Sequence, residues 1–278
     1  MGIDAITMDW LTRLKSKGLF DHRTHMLELG PQDLFFVPPE HLKSRIEMQQ
    51  VTFNYDDFFQ SGTYKPFAQR AFYNILGISE YTCSDVADSR SHYYLDLNKP
   101  IKCVEKKYDI ITNFGTFEHV FNIGQAFVTI DQLIADDGVI LHALPAMGDI
   151  NHGFWNIHPT VYYDVARDNG YEIMDLCYVD NMCYRQYIRN QESNHDKPLD
   201  FDSLPIKINC SHPHIKFSQA NPNFITQASL QLLNNSVMPE TRSLWGTHPS
   251  LLFDCCFVAM RKISMLNERN FVYPYQSF

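Results

Sequence analysis

Between Tyr108 and Pro145 the order of apolar and polar positions predicts one strand–helix–strand unit. Tyr108–Thr112 is a short apolar run entered by Asp109, and Asn113-Phe114-Gly115 breaks it. From Thr116 to Ala135 apolar residues recur at helical spacing (Phe117, Val120, Phe121, Phe127, Ile130, Leu133, Ile134), which predicts a helix covering a sheet. Asp136-Asp137-Gly138 then turns the chain into Val139–Leu144, a second buried strand. The polar turn after the first strand falls where open α/β sheets keep their ligand sites. Glu118-His119 sets two titratable groups beside that turn.

The same periodicities extend along the chain. Residues 3–17 predict an amphipathic helix with Ile6, Trp10, Leu11 and Leu14 on one side. His25–Leu29 is a short strand stopped by Gly30-Pro31, and Asp33–Phe59 is irregular apart from a short helix around His41–Gln49. Tyr64–Leu76 predicts a helix closed by Gly77, Glu80–Ser84 a strand ended by Asp85, and His92–Leu95 a strand ended by Asp96. Pro159–Asn169 predicts a helix closed by Gly170, followed by strands at Tyr171–Val179 and Leu252–Met260. Residues 181–250 are rich in Pro, Asn and Ser and predict an inserted set of loops with one helix near Thr226–Leu233. Strands alternating with helices imply an α/β domain whose mainly parallel sheet is covered on both faces.

Composition narrows the partners. A hydrophobic fraction of 45% supports a large core. Lys+Arg of 23 against Asp+Glu of 32 gives a net charge of −9, with no basic run, which excludes a broad phosphate-tracking surface and hence a nucleic-acid partner. A small molecule or neutral sugar fits that balance better. The 7 cysteines form no C-x-x-C pair and read as reduced thiols of a cytoplasmic protein. No run approaches the roughly 18 apolar residues of a membrane span, so no membrane partner is expected. The N-terminal stretch lacks the apolar core of a secretory signal.

The first four predicted strands each end in a polar station: Glu28-Leu29-Gly30, then Asp85, then Asp96-Leu97-Asn98, then Asn113 with Glu118-His119. This ladder, from about Thr24 to Val179, resembles the class I S-adenosylmethionine-dependent methyltransferases. The segment HGFWNIHPTVYYDVARDNGYEI looks like the loop–helix–strand of their small-molecule and sugar branches, and Leu252–Met260 resembles the family's final strand. The resemblance implies one Rossmann-like domain over residues 1–278, with a seven-stranded sheet and a cap made of residues 33–65 and 181–250. It implies S-adenosylmethionine as cofactor and methyl transfer, at oxygen, to a small molecule or sugar.

It also assigns roles. Gly30 would let backbone approach the methionine part, Glu28 would order the turn and the cofactor's amino group, and Asp85 would accept from the ribose diol. Asp96 would accept from the adenine amine while Leu97 packs on the ring, and Asn113 and Phe114 would line the site near the sulfonium. The chain departs from the family pattern at Pro31, Gln32 and Asp33, where further glycines are usual. A hydroxyl acceptor benefits from a general base, and His119 and His152 are the candidates. His212-Pro213-His214 has no third ligand at matching spacing, so no metal site is expected. The alternatives are a non-catalytic binding protein that keeps a degenerate form of the fold, and a nicotinamide-dependent oxidoreductase. The latter would need G-x-G-x-x-G after the first strand, which ELGPQD lacks.

Overall fold

The computed structural model describes residues 2–35, 37–104, 106–147, 152–179, 208–209, 216–217, 254–263 and 271–274. Helix α1 spans Ala5–Ser16, strand β1 His25–Leu29 and helix α2 Pro39–Glu47. A hairpin of β2 (Phe59–Gln60) and β3 (Thr63–Tyr64) precedes α3 (Ala68–Leu76). Strands β4 (Glu80–Asp85), β5 (Tyr93–Tyr94) and β6 (Tyr108–Phe114) follow. Helix α4 (Ile123–Leu133) leads into β7 (Ile134–Met147), and α5 (Pro159–Asn169) into β8 (Tyr171–Val179). A short antiparallel pair, β9 (Ile208–Asn209) and β10 (Lys216–Phe217), precedes β11 (Asp254–Lys262). The rest of the 181–250 insertion, with its expected helix near Thr226–Leu233, lies outside the described residues.

One 7-stranded sheet runs in the order β5-β4-β1-β6-β7-β11-β8. Strands β5, β4, β1, β6 and β7 are parallel, while β11 runs antiparallel to both β7 and β8. Apolar side chains leave both faces, as a covered parallel sheet requires. Met26 of β1 joins Trp10, Leu42 and Phe72 on the side of α1, α2 and α3. Leu27 and Leu29 join Phe127, Ile130 and Tyr162 on the side of α4 and α5. The architecture is the Rossmann-like α/β sheet expected, with helices on both faces and insertions.

Helix α1 is pinned to the sheet from several directions. Trp10 meets Phe257 edge-on at 5.2 Å, and its indole N–H donates to Asp175 of β8 at 3.0 Å. Arg13 adds an ion pair to the same carboxylate at 2.7 Å. On the side facing α2, Asp9 is fully buried, with Arg45 Nε at 2.5 Å and His41 Nε2 at 2.8 Å. Burial alone would raise the Asp9 pKa, but its contacts with His41 and Arg45 outweigh it and hold the carboxyl below its ordinary value.

The structure corrects several boundaries. Strand β6 continues through Asn113 and Phe114, which pair with His142 and Ala143 of β7, so the break comes at Gly115. The expected helix over Thr116–Ala135 is divided: Phe117–His119 is a single 3₁₀ turn, and α4 starts at Ile123 behind the N-cap Asn122. The cause is tertiary. The Glu118 carbonyl accepts the Phe154 N–H at 2.6 Å, taking it out of any helical ladder. Helix α3 starts at Ala68 rather than Tyr64, because Tyr64 pairs with Phe59 in the hairpin.

Candidate functional site

Strand β1 lies between β4 and β6, so the chain leaves it in opposite directions on either side, the geometry that opens a crevice beyond the carboxyl ends of the strands. A cleft of about 270 Å³ occupies that position. Gly30, Asp85, Asp96, Leu97, Thr116 and His119 are among its walls.

The turn after β1 forms the floor. Gly30 has φ +75, a conformation that an L side chain adopts only with strain. A Cβ there would stand 3.3 Å from Thr116 Oγ1 and 3.5 Å from Asp85 Oδ2, inside the cleft. The turn is braced by hydrogen bonds rather than by further glycines. Gly30 N–H donates to the Ser84 carbonyl at 2.8 Å, Gln32 Nε2 donates to the Gly30 carbonyl at 2.9 Å, and Thr116 Oγ1 donates to the Leu29 carbonyl at 2.6 Å. Arg90 ties the next residues down by pairing with Asp33 at 2.8 Å and with Asp88 at 2.8 Å.

Glu28 lies beneath this turn, 0% exposed. Its carboxylate accepts from the Tyr73 hydroxyl at 2.6 Å, from the Gln32 N–H at 2.9 Å and from the Tyr81 hydroxyl. Gln69 Nε2 stands at 3.5 Å. Burial raises the Glu28 pKa, and these donors act against the rise. Glu28 therefore orders the turn from below and does not line the cleft.

The two aspartates form the far wall. Asp85 Oδ1 accepts from the N–H groups of Ala87 at 2.7 Å and Asp88 at 2.9 Å, which shapes the turn after β4. Its Oδ2 faces Gly30 across the cleft. Asp96 Oδ1 accepts from the Asn98 N–H at 3.0 Å, and Oδ2 pairs with Lys99 at 2.8 Å. The Lys99 contact holds the Asp96 carboxyl below its ordinary range. Leu95, Leu97, Val86 and Val120 add apolar surface between these acids.

Asn113 and Phe114 sit behind the cleft. The Asn113 side chain donates to His142 Nδ1 at 2.9 Å and accepts the Phe117 N–H at 3.1 Å, so it fixes the turn that follows β6. Burial pushes the His142 pKa down to about 3, consistent with a neutral ring accepting that bond. Phe114 packs with Trp10 on the opposite face of the sheet. Gly115 and Thr116 line the cleft in their place.

At the mouth, Glu118, His119 and His152 converge. Glu118 Oε1 lies 3.9 Å from Nε2 of each imidazole, and the ring centroids are 4.7 Å apart. The Glu118 side chain is 0% exposed, that of His119 45% and that of His152 21%. Burial lowers the pKa of both histidines, and for His119 the neighbouring His152 lowers it further.

Gly30, Asp85, Asp96, Leu97 and His119 thus share one cleft, His152 adjoins it through His119, and Glu28, Asn113 and Phe114 support it. The residues that sequence reasoning missed are Gln32, Ser84, Gly115 and Thr116. Thr116, the first hydroxyl after the β6 break, carried a readable signal. Gln32 and Ser84 carried none, since their part depends on a turn held by long-range bonds.

No protein-family model matches the chain, and no curated protein matches it in sequence. Among solved structures it is similar to a Galdieria sulphuraria protein assigned as a sarcosine dimethylglycine methyltransferase, at 13% identity and a TM-score of 0.46, over 92% of this chain and 85% of that one. It is also similar to the 4+2 cyclase SpnF, at 9% identity and a TM-score of 0.43, over 92% of this chain and 80% of that one. A third is Haemonchus contortus phosphoethanolamine N-methyltransferase 2, solved with S-adenosyl-L-methionine, at 12% identity and a TM-score of 0.42, over 91% of this chain and 52% of that one.

Proposed function

We propose that the chain binds S-adenosylmethionine in the cleft above β1, β4 and β6 and transfers its methyl group to an oxygen of a small molecule or sugar. The observation that carries this reading is the meeting of Gly30, Asp85 and Asp96 around one crevice at the sheet's switch point, in the order the strand stations run along the chain. The residues present fit the group. A side chain at Gly30 would fill the cradle, an acceptor oxygen of Asp85 faces it, and apolar Leu95 and Leu97 flank Asp96.

When bound, the cofactor supplies an electrophilic methyl on a sulfonium, so most of the rate comes from holding donor and acceptor in line. Gly30 admits the cofactor's close approach to backbone. Asp85 orients the ribose by accepting from its hydroxyls, and Asp96 with Leu97 orients the base. Glu28 keeps the turn in shape through Gln32. The acceptor side is assigned to His119, on the cleft wall, and to His152 beside it.

The turn also favours a second outcome. Pro31 has no N–H, and the Gln32 N–H is already given to Glu28, so few backbone donors remain for a ligand carboxylate. A binding protein without catalysis would share this feature. Calorimetric titration of the purified chain with S-adenosylmethionine and S-adenosylhomocysteine tests the reading. Binding of both, with loss in Asp85→Asn, supports it. Absence of heat and of any thermal shift at millimolar ligand would refute it.

A further inference from the structure

The three side chains at the cleft mouth come from two separate segments, and the fold fastens those segments together. The Glu118 carbonyl accepts the N–H of Phe154 at 2.6 Å and that of Trp155 at 3.3 Å. The Trp155 indole donates to the Val120 carbonyl at 3.0 Å. Gly153, next to His152, lies so close that a Cβ would meet the Glu118 carbonyl oxygen at 2.7 Å and its Cγ at 2.9 Å. Phe121 closes the outside of the junction, edge-on to Phe154 at 5.6 Å. The juxtaposition of one carboxylate and two imidazoles is therefore built in, not left to side-chain drift.

The donor set has the composition and size of a metal site. One ligand atom from each of Glu118, His119 and His152 can be chosen so that all lie within 4.8 Å of one another. Ligands about 2.1 Å from a common ion at tetrahedral angles lie about 3.4 Å apart. Each Glu–His distance of 3.9 Å is already near that value, so small side-chain rotations close the set. An ionised carboxylate with two neutral imidazoles suits a divalent first-row ion such as Zn²⁺, Mn²⁺, Fe²⁺ or Co²⁺ rather than Ca²⁺ or Mg²⁺. Three protein ligands leave at least one position open, and His119 already forms part of the cleft wall.

We infer that Glu118, His119 and His152 hold a divalent transition-metal ion at the mouth of the cleft, with its open position available to an oxygen of the methyl acceptor. The second half of this statement rests on the methyl-transfer reading, whereas the ion site does not. The ion would then fix the acceptor beside the methyl donor.

The test uses the full chain stripped with EDTA and titrated with Zn²⁺, Mn²⁺ and Co²⁺ alone. One equivalent should bind, and His119→Ala and His152→Ala should each weaken binding at least tenfold while circular dichroism and Tm report an intact fold. Unaltered affinity in both variants, or no binding of any of the three ions to the parent chain, overturns the site. The unsubstituted protein supplies a readout independent of the variants: bound Co²⁺ should give a visible d–d spectrum that shifts when acetohydroxamate, a simple oxygen ligand, is added. A spectrum that does not respond overturns the open position. Titration of the EDTA-treated chain with S-adenosylhomocysteine separates the two readings. Absence of that binding in a chain that still takes up the ion in the metal titration removes the methyl-transfer reading and leaves the ion site standing.

Discussion

Replacement of Asp85 by Asn tests the cofactor reading with the least damage to the fold. The two carboxylate oxygens have different tasks. Oδ1 accepts two backbone N–H bonds, at 2.7 Å from Ala87 and 2.9 Å from Asp88, whereas Oδ2 faces Gly30 across the cleft. The Asn carbonyl oxygen can keep the first task, and its amide places a donor where the second needs an acceptor. A hydrogen bond to a charged group contributes about 1.5–3 kcal/mol. At about 1.4 kcal/mol per factor of ten, its loss weakens binding roughly 10- to 150-fold. Calorimetry with S-adenosylhomocysteine should therefore show a Kd raised by that factor, with Tm within a degree or two of the parent. Asp85→Ala should lose as much affinity and, because the turn loses its acceptor, melt lower as well. Binding by Asp85→Asn within threefold of the parent, with the fold intact, would show that Oδ2 holds no part of the ligand.

Gly30→Ala should act on both stability and ligand. The φ of +75 costs an L residue about 1–2 kcal/mol, which at about 2–4 °C per kcal/mol lowers Tm by roughly 2–8 °C. Its methyl enters the cleft, so affinity for S-adenosylhomocysteine should fall by more than tenfold in the same preparation. Asp9→Asn removes the anion from a fully buried cluster and leaves Arg45 without its carboxylate, at a cost of about 3–5 kcal/mol in urea melts. The folded-state pKa of Asp9 is depressed, so its contribution is fully present above the unfolded value of about 3.9 and is lost as pH falls through the folded one. Urea midpoints measured from pH 6 down to pH 2.5 should therefore show an acid-dependent loss in the parent that is smaller in Asp9→Asn. Identical pH slopes in the two proteins would show that Asp9 is not the group responsible.

Local signals made some of this fold legible and left the rest out of reach. His25–Leu29, Pro159–Asn169 and Tyr171–Val179 have the bounds their patterns predict, because an apolar run with a clear stop carries its own boundary. Thr116–Ala135 has helical spacing throughout, yet its first turn is claimed by the loop bearing Phe154 and Trp155. Periodicity describes which side of an element is buried, not which distant N–H takes a carbonyl. The site follows the same division. That Gly30, Asp85 and Asp96 share one cleft is legible because each stands at or just beyond the carboxyl end of a strand, and such ends meet at a switch point. The resemblance sets Asn113 and Phe114 beside the cofactor, whereas both pair within β6, where Asn113 fixes the following turn and Phe114 packs against Trp10. The approach of His152 to Glu118 is a contact between distant segments that no local pattern encodes.

The position of β11 bears on how the chain acquires its fold during synthesis. Among the described strands it is the last in sequence, yet it lies between β7 and β8 and supplies the pairing partner of both. At about 5–20 residues per second, the ribosome needs roughly 4–15 s to pass from the end of β8 through residues 180–253 to β11. During that interval β7 and β8 lack their intervening partner, and each offers an open hydrogen-bonding edge to other nascent chains. Strand β11 thus acts as a closing key, and a chain stopped before Asp254 should aggregate rather than wait.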